Sequence, residues 1–120
     1  MSDYQQLATS YLDLWNETDP QRRGELIRAV CRDDVSYVDP LADVHGTQAL
    51  ADVVAAAQQQ FPGWRFRQTG PVDGHHAQVR FTWDLGPDDA SAPVGGFDVL
   101  VLDGDGRVRH VYGFLDRVPA

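Results

Sequence analysis

Two aspartates stand where the surrounding sequence is apolar, and together they could transfer a proton. Asp39 ends the strand-like run "VSYVD" and precedes a proline, and Asp98 interrupts the apolar run "FDVLVL". Because an isolated buried charge is too costly, a carboxyl group in such a run must be paired, hydrogen-bonded or kept protonated. A protonated Asp98 would be a hydrogen-bond donor, whereas Asp39 could act as a base.

Tyr11 is the third candidate, because the apolar stripe of the first predicted helix carries its hydroxyl group inward. A buried phenol usually finds a polar partner, which here could be Asp98 or a ligand. Each candidate also has a structural interpretation: Asp39 could end its strand in a turn, Asp98 could bind backbone amides or an arginine, and Tyr11 could fill the core. The chemical interpretation requires the three side chains to converge.

Hydrophobic periodicity predicts two helices, a short strand, a third helix and then four strands. The first helix runs from Tyr4 to Trp15. The second begins at the capping pair Asp19 and Pro20, and the third contains Leu50–Ala57. The strands are Val35–Asp39, Trp64–Val72, His75–Leu85, Val94–Asp103 and Arg107–Val118. Residues two apart share a strand face, so Asp39 should point where Tyr37 points. The strand that carries Asp98 is apolar on both faces and resembles a central strand buried on both sides.

Length and charge narrow the classes of function. The chain has 120 residues, which suits one domain, and a formal net charge of -8, with ten basic residues that are all arginine and are scattered. This charge disfavours nucleic acid and an anionic membrane surface as partners and favours a neutral or cationic ligand. With no pattern of a signal peptide or a transmembrane span, we expect a cytoplasmic protein.

Metal and cofactor motifs are weak or missing. Cys31 is the only cysteine, so an internal disulfide is impossible and a zinc site built on thiolates is excluded. His75 and His76 are adjacent on a predicted strand and point to opposite faces, which does not suit one metal site. The "DGDG" segment lacks the later acidic ligands of a calcium loop, and no phosphate loop or nucleophile elbow is present. We therefore expect no metal and no cofactor.

The order of the elements, with "DDVSYVDPLADVHGTQAL" in the middle and "FDVLVLDGDGRVRHVYGF" near the end, resembles a known superfamily. The chain is similar to the nuclear transport factor 2-like proteins, particularly SnoaL-like polyketide cyclases and ketosteroid isomerases, over almost its full length. The resemblance implies one SnoaL-like domain over residues 1–120, of the α+β class. It implies a conical barrel, or cystatin-like roll, in which a curved, mostly antiparallel sheet wraps around three helices. Such a fold contains a deep apolar cup and often forms a homodimer.

The resemblance extends to the candidate residues. The "VDP" motif resembles the "EDP" of ketosteroid isomerases, which places Asp39 at their general base. By the same comparison "YLDLWNETD" places Tyr11 at their oxyanion-hole tyrosine, and "FDVLVLDGDGRV" places Asp98 at their protonated aspartic acid. In the ketosteroid isomerases the base removes a proton beside a carbonyl group, and the two donors stabilise the enolate oxygen.

Helical face and strand parity place a further set of residues at the wall of the cup, where they would favour a flat or cyclic apolar ligand. They are Trp15, Tyr37, Val53, Phe81, Trp83, Leu100 and Leu115. The reaction could be isomerisation of an unsaturated ketone or an aldol ring closure, since both pass through an enolate.

Two other functions remain open at this point. In an epoxide hydrolase an aspartate and an arginine position water, but Arg80 has the wrong parity to face the cup. In a noncatalytic ligand-binding or dimerisation module, Tyr112 and Phe114 would form an outer sheet face that pairs with a second chain. We expect the ligand to be a small apolar molecule, and we expect the protein to form a homodimer through that outer face.

Overall fold

The computed structural model describes residues 3–87 and 92–119. Within these residues three helices and six strands follow in the order α1 (Tyr4–Asn16), α2 (Pro20–Val30), β1 (Cys31–Asp39), β2 (Ala42–His45), α3 (Thr47–Gln60), β3 (Arg65–His75), β4 (Gln78–Gly86), β5 (Val94–Leu102) and β6 (Val108–Arg117). No helix in the described part of the chain is long and apolar enough to cross a membrane.

Each of the first two helices begins at a capping aspartate, of which the sequence analysis predicted only Asp19. The Asp3 side chain accepts a hydrogen bond from the backbone amide of Gln6, and Asp19 accepts one from the amide of Arg22. Pro20 follows in the first turn of α2, where its missing N–H leaves no donor unpaired. The buried stripe of α1 then packs on the sheet and brings Tyr11 and Trp15 into the core.

The strands form one curved sheet in the order β2-β1-β6-β5-β4-β3. Only β1 and β6 pair in parallel, and the other neighbours are antiparallel. The predicted α+β class is therefore confirmed, although the sheet stays open at β2 and β3 instead of closing into a barrel. The helices cover its inner face, on which Val79, Phe81 and Leu85 are buried.

Several boundaries differ from the predicted ones, and β1 begins at Cys31 instead of Val35. The sequence pattern predicts that a strand ends at Val72 and that Asp73 and Gly74 form the next turn, but β3 continues to His75 and the chain reverses at His76, whose φ is 53°. The pairing of β3 with β4 is irregular between Thr69 and Asp73, so the strand passes a local break without ending. Strand β2 was not predicted, because four residues carry too little periodic signal.

Strand β5 is a central strand, but it is fully buried on only one face. Asp98, Leu100 and Leu102 lie on the inner face, whereas Phe97 and Val99 are half-buried on the outer face. The prediction of burial on both sides was wrong for the outer face, because the helices cover only the inner one. The outer face therefore keeps a strip of apolar side chains.

Cys31 is fully buried at the start of β1, and burial raises the pKa of its thiol to about 12. A neutral, enclosed thiol is a poor nucleophile and a poor metal ligand. Its position agrees with a role in packing.

Candidate active site

An apolar cavity of about 640 Å³ opens on the inner side of the sheet. Its walls come from α1, α3 and all six strands, so it is the place where the curved sheet and the helices meet. The described residues that line it include three carboxyl groups, of Asp39, Asp52 and Asp98, and no arginine or histidine. Such a cavity has the size of a site for a small organic ligand and disfavours an anionic one.

Asp39 stabilises a turn and also lies in the wall of the cavity. One carboxylate oxygen, Oδ1, accepts hydrogen bonds from the backbone amides of Leu41 at 2.7 Å and Ala42 at 2.8 Å. The other oxygen, Oδ2, accepts a hydrogen bond from the Tyr37 hydroxyl group at 2.6 Å, as shared strand parity suggests. The backbone amides of the turn thus bind Oδ1, whereas Oδ2 is bound by Tyr37, which also lines the cavity.

Asp98 lies in an environment that favours its protonated form. Its side chain is 6 % exposed, and its Oδ1 accepts a hydrogen bond from the Trp83 indole nitrogen at 3.3 Å. The pKa of Asp98 is raised to about 7, mainly by burial; the Trp83 hydrogen bond lowers it, and the negative charge of Asp39 contributes to the rise. Below neutral pH the carboxyl group is therefore mostly neutral and can donate a hydrogen bond.

Gly113 lies between the two carboxyl side chains. It pairs with Asp98 across β5 and β6, and a Cβ atom placed on it would lie 3.0 Å from Asp98 Oδ1 and 3.3 Å from Asp39 Cβ. The backbone of Gly113 also lines the cavity, so a ligand can approach this point. The sequence did not indicate Gly113, because the pairing of β5 with β6 shifts register between Val101 and Leu102, so a count of residues from the "DGDG" turn does not place Gly113 opposite Asp98.

We predict that Gly113→Ala destabilises the protein by about 1–3 kcal/mol, because its methyl group would displace the Asp98 carboxyl group. Gly104→Ala is the matched control, since a Cβ atom there meets nothing within 4 Å. Urea unfolding of the two variants beside wild type measures the difference. Equal stability of the two variants would show that the space at Gly113 is not restricted.

Tyr11 is fully buried and lies behind the cavity wall. Its ring packs edge-on against Trp15 at 6.4 Å and Phe81 at 6.1 Å between ring centroids. Burial and then the charges of Asp98 and Tyr37 raise the pKa of Tyr11, although the Trp15 indole acts in the opposite direction. Within residues 3–87 and 92–119, the Tyr11 hydroxyl group and the Trp15 indole nitrogen have no partner in hydrogen-bonding geometry. Tyr11 is thus a buried donor near Asp98, and it is not among the residues that line the cavity.

The structure separates the predicted wall residues into two groups. Those that line the cavity are Trp15, Tyr37, Val53, Trp83 and Leu115. Phe81 and Leu100 face the same side of the sheet but are not among the lining residues, because α1 covers Phe81 through Tyr11 and Leu100 is enclosed between Val79 and Val111. Strand parity identifies the face of a residue but not which part of that face a helix covers.

The remaining polar candidates do not form a second catalytic cluster. The rings of His75 and His76 are 6.2 Å apart and nearly perpendicular. Across residues 3–87 and 92–119, no group of three or more histidine, cysteine or acidic residues could hold a metal ion. Ser36 Oγ lies 2.6 Å from His110 Nδ1, on the side of the sheet away from the cavity.

An open, curved sheet around helices, with an apolar cavity and a buried acid inside it, defines a cup-shaped α+β domain of the nuclear transport factor 2-like class. The model of the SnoaL-like domain matches residues 8–111, which is most of the chain. The protein therefore belongs to the SnoaL-like family, and the resemblance inferred from the sequence is confirmed.

Several solved structures are similar to this chain. A proposed isomerase of the SnoaL-like family from Agrobacterium tumefaciens str. C58 is 41% identical, with a TM-score of 0.91, and the match covers 97% of this chain and 99% of that one. A proposed ketosteroid isomerase from Kribbella flavida DSM 17836 is 22% identical, with a TM-score of 0.71 over 98% of this chain and 80% of that one.

A more distant relative is a proposed polyketide cyclase from Sinorhizobium meliloti, 15% identical, with a TM-score of 0.71 over 90% of this chain and 93% of that one. The Kribbella and Sinorhizobium structures show the fold alone. Among curated proteins, none matches the sequence.

Proposed function

We propose that this protein transfers a proton on a small, apolar carbonyl compound through an enolate, as a ketosteroid isomerase does. One observation carries the proposal: Asp39 and Asp98 lie on either side of Gly113 in the wall of an apolar cavity. One carboxyl group is hydrogen-bonded as an acceptor, and the other is buried with a raised pKa. Two carboxyl groups in such different environments suit a base and a neutral donor.

In the proposed reaction, Asp39 removes a proton from the carbon next to the carbonyl group. The electrons of the broken C–H bond form a carbon–carbon double bond, and the carbonyl oxygen becomes an enolate oxygen. Neutral Asp98 donates a hydrogen bond to this oxygen and stabilises it. The substrate of this reaction is a β,γ-unsaturated ketone. When its carbonyl group re-forms, the new double bond shifts into conjugation between the α- and β-carbons, and the electron pair of the original β,γ double bond takes the proton from Asp39 at the γ-carbon, which gives the conjugated ketone and regenerates the base.

Tyr11 is assigned to this site as a donor that acts on Asp98. The resemblance to ketosteroid isomerases implies direct contact with the substrate oxygen, but Tyr11 lies behind the lining residues. Its unpartnered hydroxyl group and its coupling to the charge of Asp98 support a role as a positioning residue for that carboxyl group.

The other functions receive less support. The described hydrogen bonds to Asp39 come from Tyr37 and two backbone amides, whereas water-positioning in an epoxide hydrolase would need an arginine there. Arg80 lies 3.6 Å from Asp73, and both side chains are exposed. A purely structural Asp98 would be bound by amides or an arginine, but its described partner is Trp83. An aldol cyclase uses the same enolate and remains the second candidate.

The direct test is conversion of a β,γ-unsaturated ketosteroid to its conjugated isomer, followed by absorbance. Turnover above the rate in buffer, saturable with substrate, supports the proposal. If the folded protein neither converts nor binds the steroid, isomerisation of a ketosteroid is excluded, and aldol substrates should be tested next.

We also propose a homodimer through the outer face of the sheet. Phe97 and Phe114 stack there with ring centroids 4.8 Å apart, and Tyr112 and Phe114 remain 39% and 50% exposed. Exposed aromatic residues in one strip are typical of a protein interface. Light scattering of the eluting protein measures its mass, and a monomer at micromolar concentration would contradict this proposal.

A further inference from the structure

A second cavity, of about 550 Å³, lies on the other side of Trp15 and Phe61. These two residues also line the first cavity, so they form a shared wall. The other residues around the second cavity come from the connection between α1 and α2, the start of α2, the second half of α3 and the segment that leads into β3. None of the residues assigned to proton transfer lies in this cavity among its described lining.

The two cavities differ in charge. The described lining of the second cavity contains the buried Arg23 and no acidic residue, whereas that of the first contains three acidic residues and no arginine. The difference is notable because the whole chain has 18 acidic and ten basic residues. A cavity with arginine and no acid attracts an anion.

Arg23 is the centre of this feature, because its charge is buried and no carboxylate of the described residues pairs with it. The residue is only 7% exposed. Its Nε donates to the Glu17 carbonyl oxygen at 3.1 Å, and its Nη2 donates to Gln58 Oε1 at 2.7 Å and to the Thr18 carbonyl oxygen at 3.4 Å. All these acceptors are neutral. The Glu17 carboxylate instead faces Arg22, at 3.3 Å.

Part of this arrangement has a structural purpose. The Glu17 and Thr18 carbonyl groups follow the end of α1, and an arginine there satisfies acceptors that the helix leaves unpaired. Arg107 does the same at the end of α2, where it donates to the carbonyl groups of Arg28 and Cys31. Helix capping explains the bonds of Arg23 but not the cavity beside it. A guanidinium group has five N–H donors, so Arg23 retains donors for a ligand.

The aromatic residues indicate the shape of such a ligand. Phe61 and Trp64 stack with ring centroids 4.8 Å apart and planes 22° apart, and both line the second cavity. Trp15 closes the wall toward the first cavity. Flat aromatic surfaces favour a flat apolar ring, since offset and edge-on ring contacts stabilise it beyond simple burial.

We propose that the second cavity is a binding site for a small, flat carboxylate, whose anionic group binds Arg23 and whose ring packs against Trp64. A carboxylate fits because it can accept a charge-assisted hydrogen bond from Nη1, the nitrogen of Arg23 that none of its described hydrogen bonds uses. The site is independent of the proton-transfer proposal, because it uses neither Asp39 nor Asp98.

The test uses two probes of the same shape, benzoate and its neutral amide, benzamide, titrated into the ¹⁵N-labelled wild-type protein. Benzoate is expected to shift the indole N–H signal of Trp64 and the signals of Arg23 in a saturable way, and benzamide is expected to leave them nearly unchanged. Arg23→Gln should weaken benzoate binding at least about tenfold, which corresponds to 1.4 kcal/mol. Arg22→Gln is the matched control, because Arg22 is exposed on the same helix and should leave the affinity unchanged.

Three results would overturn the proposal. Benzoate could cause no shift at any soluble concentration, benzamide could bind equally well, or the shifts could lie at the first cavity around Asp98 and Leu115. Because Arg23 also caps α1, Arg23→Gln could unfold the protein. The comparison of benzoate with benzamide on the wild-type protein then decides the question alone. Neither binding nor failure to bind benzoate at the second cavity changes the roles proposed for Asp39 and Asp98.

Discussion

Replacement of Asp39 by asparagine is expected to lower turnover of the unsaturated ketone by about 10³-fold, because an amide cannot accept the proton that a carboxylate removes. The fold should be kept. The asparagine carbonyl oxygen can still accept the backbone N–H groups of Leu41 and Ala42, which now bind Asp39 Oδ1 and hold the turn. The measurement is kcat and KM for the steroid, with circular dichroism and urea unfolding to establish that the variant is folded.

The control for this variant is Asp43→Asn, which removes one negative charge from an exposed position of β2 that is not among the residues lining the cavity. It should retain full activity. If Asp39→Asn keeps near-wild-type turnover while folded, Asp39 is not the base, and only its role in the turn remains. If both variants lose activity equally, the effect comes from net charge or from the hairpin that joins β1 and β2.

The second large effect is expected at Asp98. Asp98→Leu removes the proposed donor, and loss of one such donor commonly lowers kcat by about 10²–10³-fold. Asp98→Asn keeps an N–H donor at the same place and should lose less. The comparison of the two variants separates the loss of a hydrogen-bond donor from a change in core packing, because leucine suits the apolar surroundings of residue 98 at least as well as asparagine does. Equal turnover of wild type and Asp98→Leu would contradict the assignment.

The raised pKa of Asp98 also predicts how activity depends on pH. Since the neutral form donates, kcat should fall as the pH rises through the pKa of about 7. Asp98→Asn should lack this decline, because its donor does not titrate. The measurement is kcat against pH for both proteins, and the same alkaline decline in both would assign the titration to another group.

Stability should change over the same range of pH. The pKa of Asp98 rises from 3.8 to about 7 on folding, because burial disfavours the charged form. The folded state therefore binds the proton more tightly than the unfolded chain does, and the resulting stabilisation is complete below the unfolded value and is lost as pH rises through the folded value. A shift of this size corresponds to at most about 4 kcal/mol.

This stability change can be measured by urea unfolding of wild type and Asp98→Asn at several pH values from about 4 to 8. The free energy of unfolding of wild type should fall relative to that of the variant as the pH increases. Parallel curves would show that Asp98 titrates alike in the folded and unfolded states, and the proposal of a neutral donor would then lose its support.

Much of the fold follows from local patterns. The capping side chains Asp3 and Asp19 lie where α1 and α2 begin, because these ends depend on a few adjacent residues. Strand parity correctly places Tyr37 and Asp39 on one face, and their side chains form a hydrogen bond. The burial of Asp98 also follows from its apolar neighbours. These features require only the geometry of a single helix or strand.

The sequence by itself determined the α+β class, most of the faces of the helices and strands, and the burial of the polar residues Tyr11 and Asp98. Only the tertiary structure decided which of them meet. Gly113 separates two carboxyl groups because β6 lies between β1 and β5. Tyr11 of α1 packs against Phe81 of β4 where the helix meets the sheet, and neither of them is among the residues that line the cavity. Periodicity reports the direction of a side chain from its own backbone, whereas a site depends on distances between elements, which strand order and helix packing set.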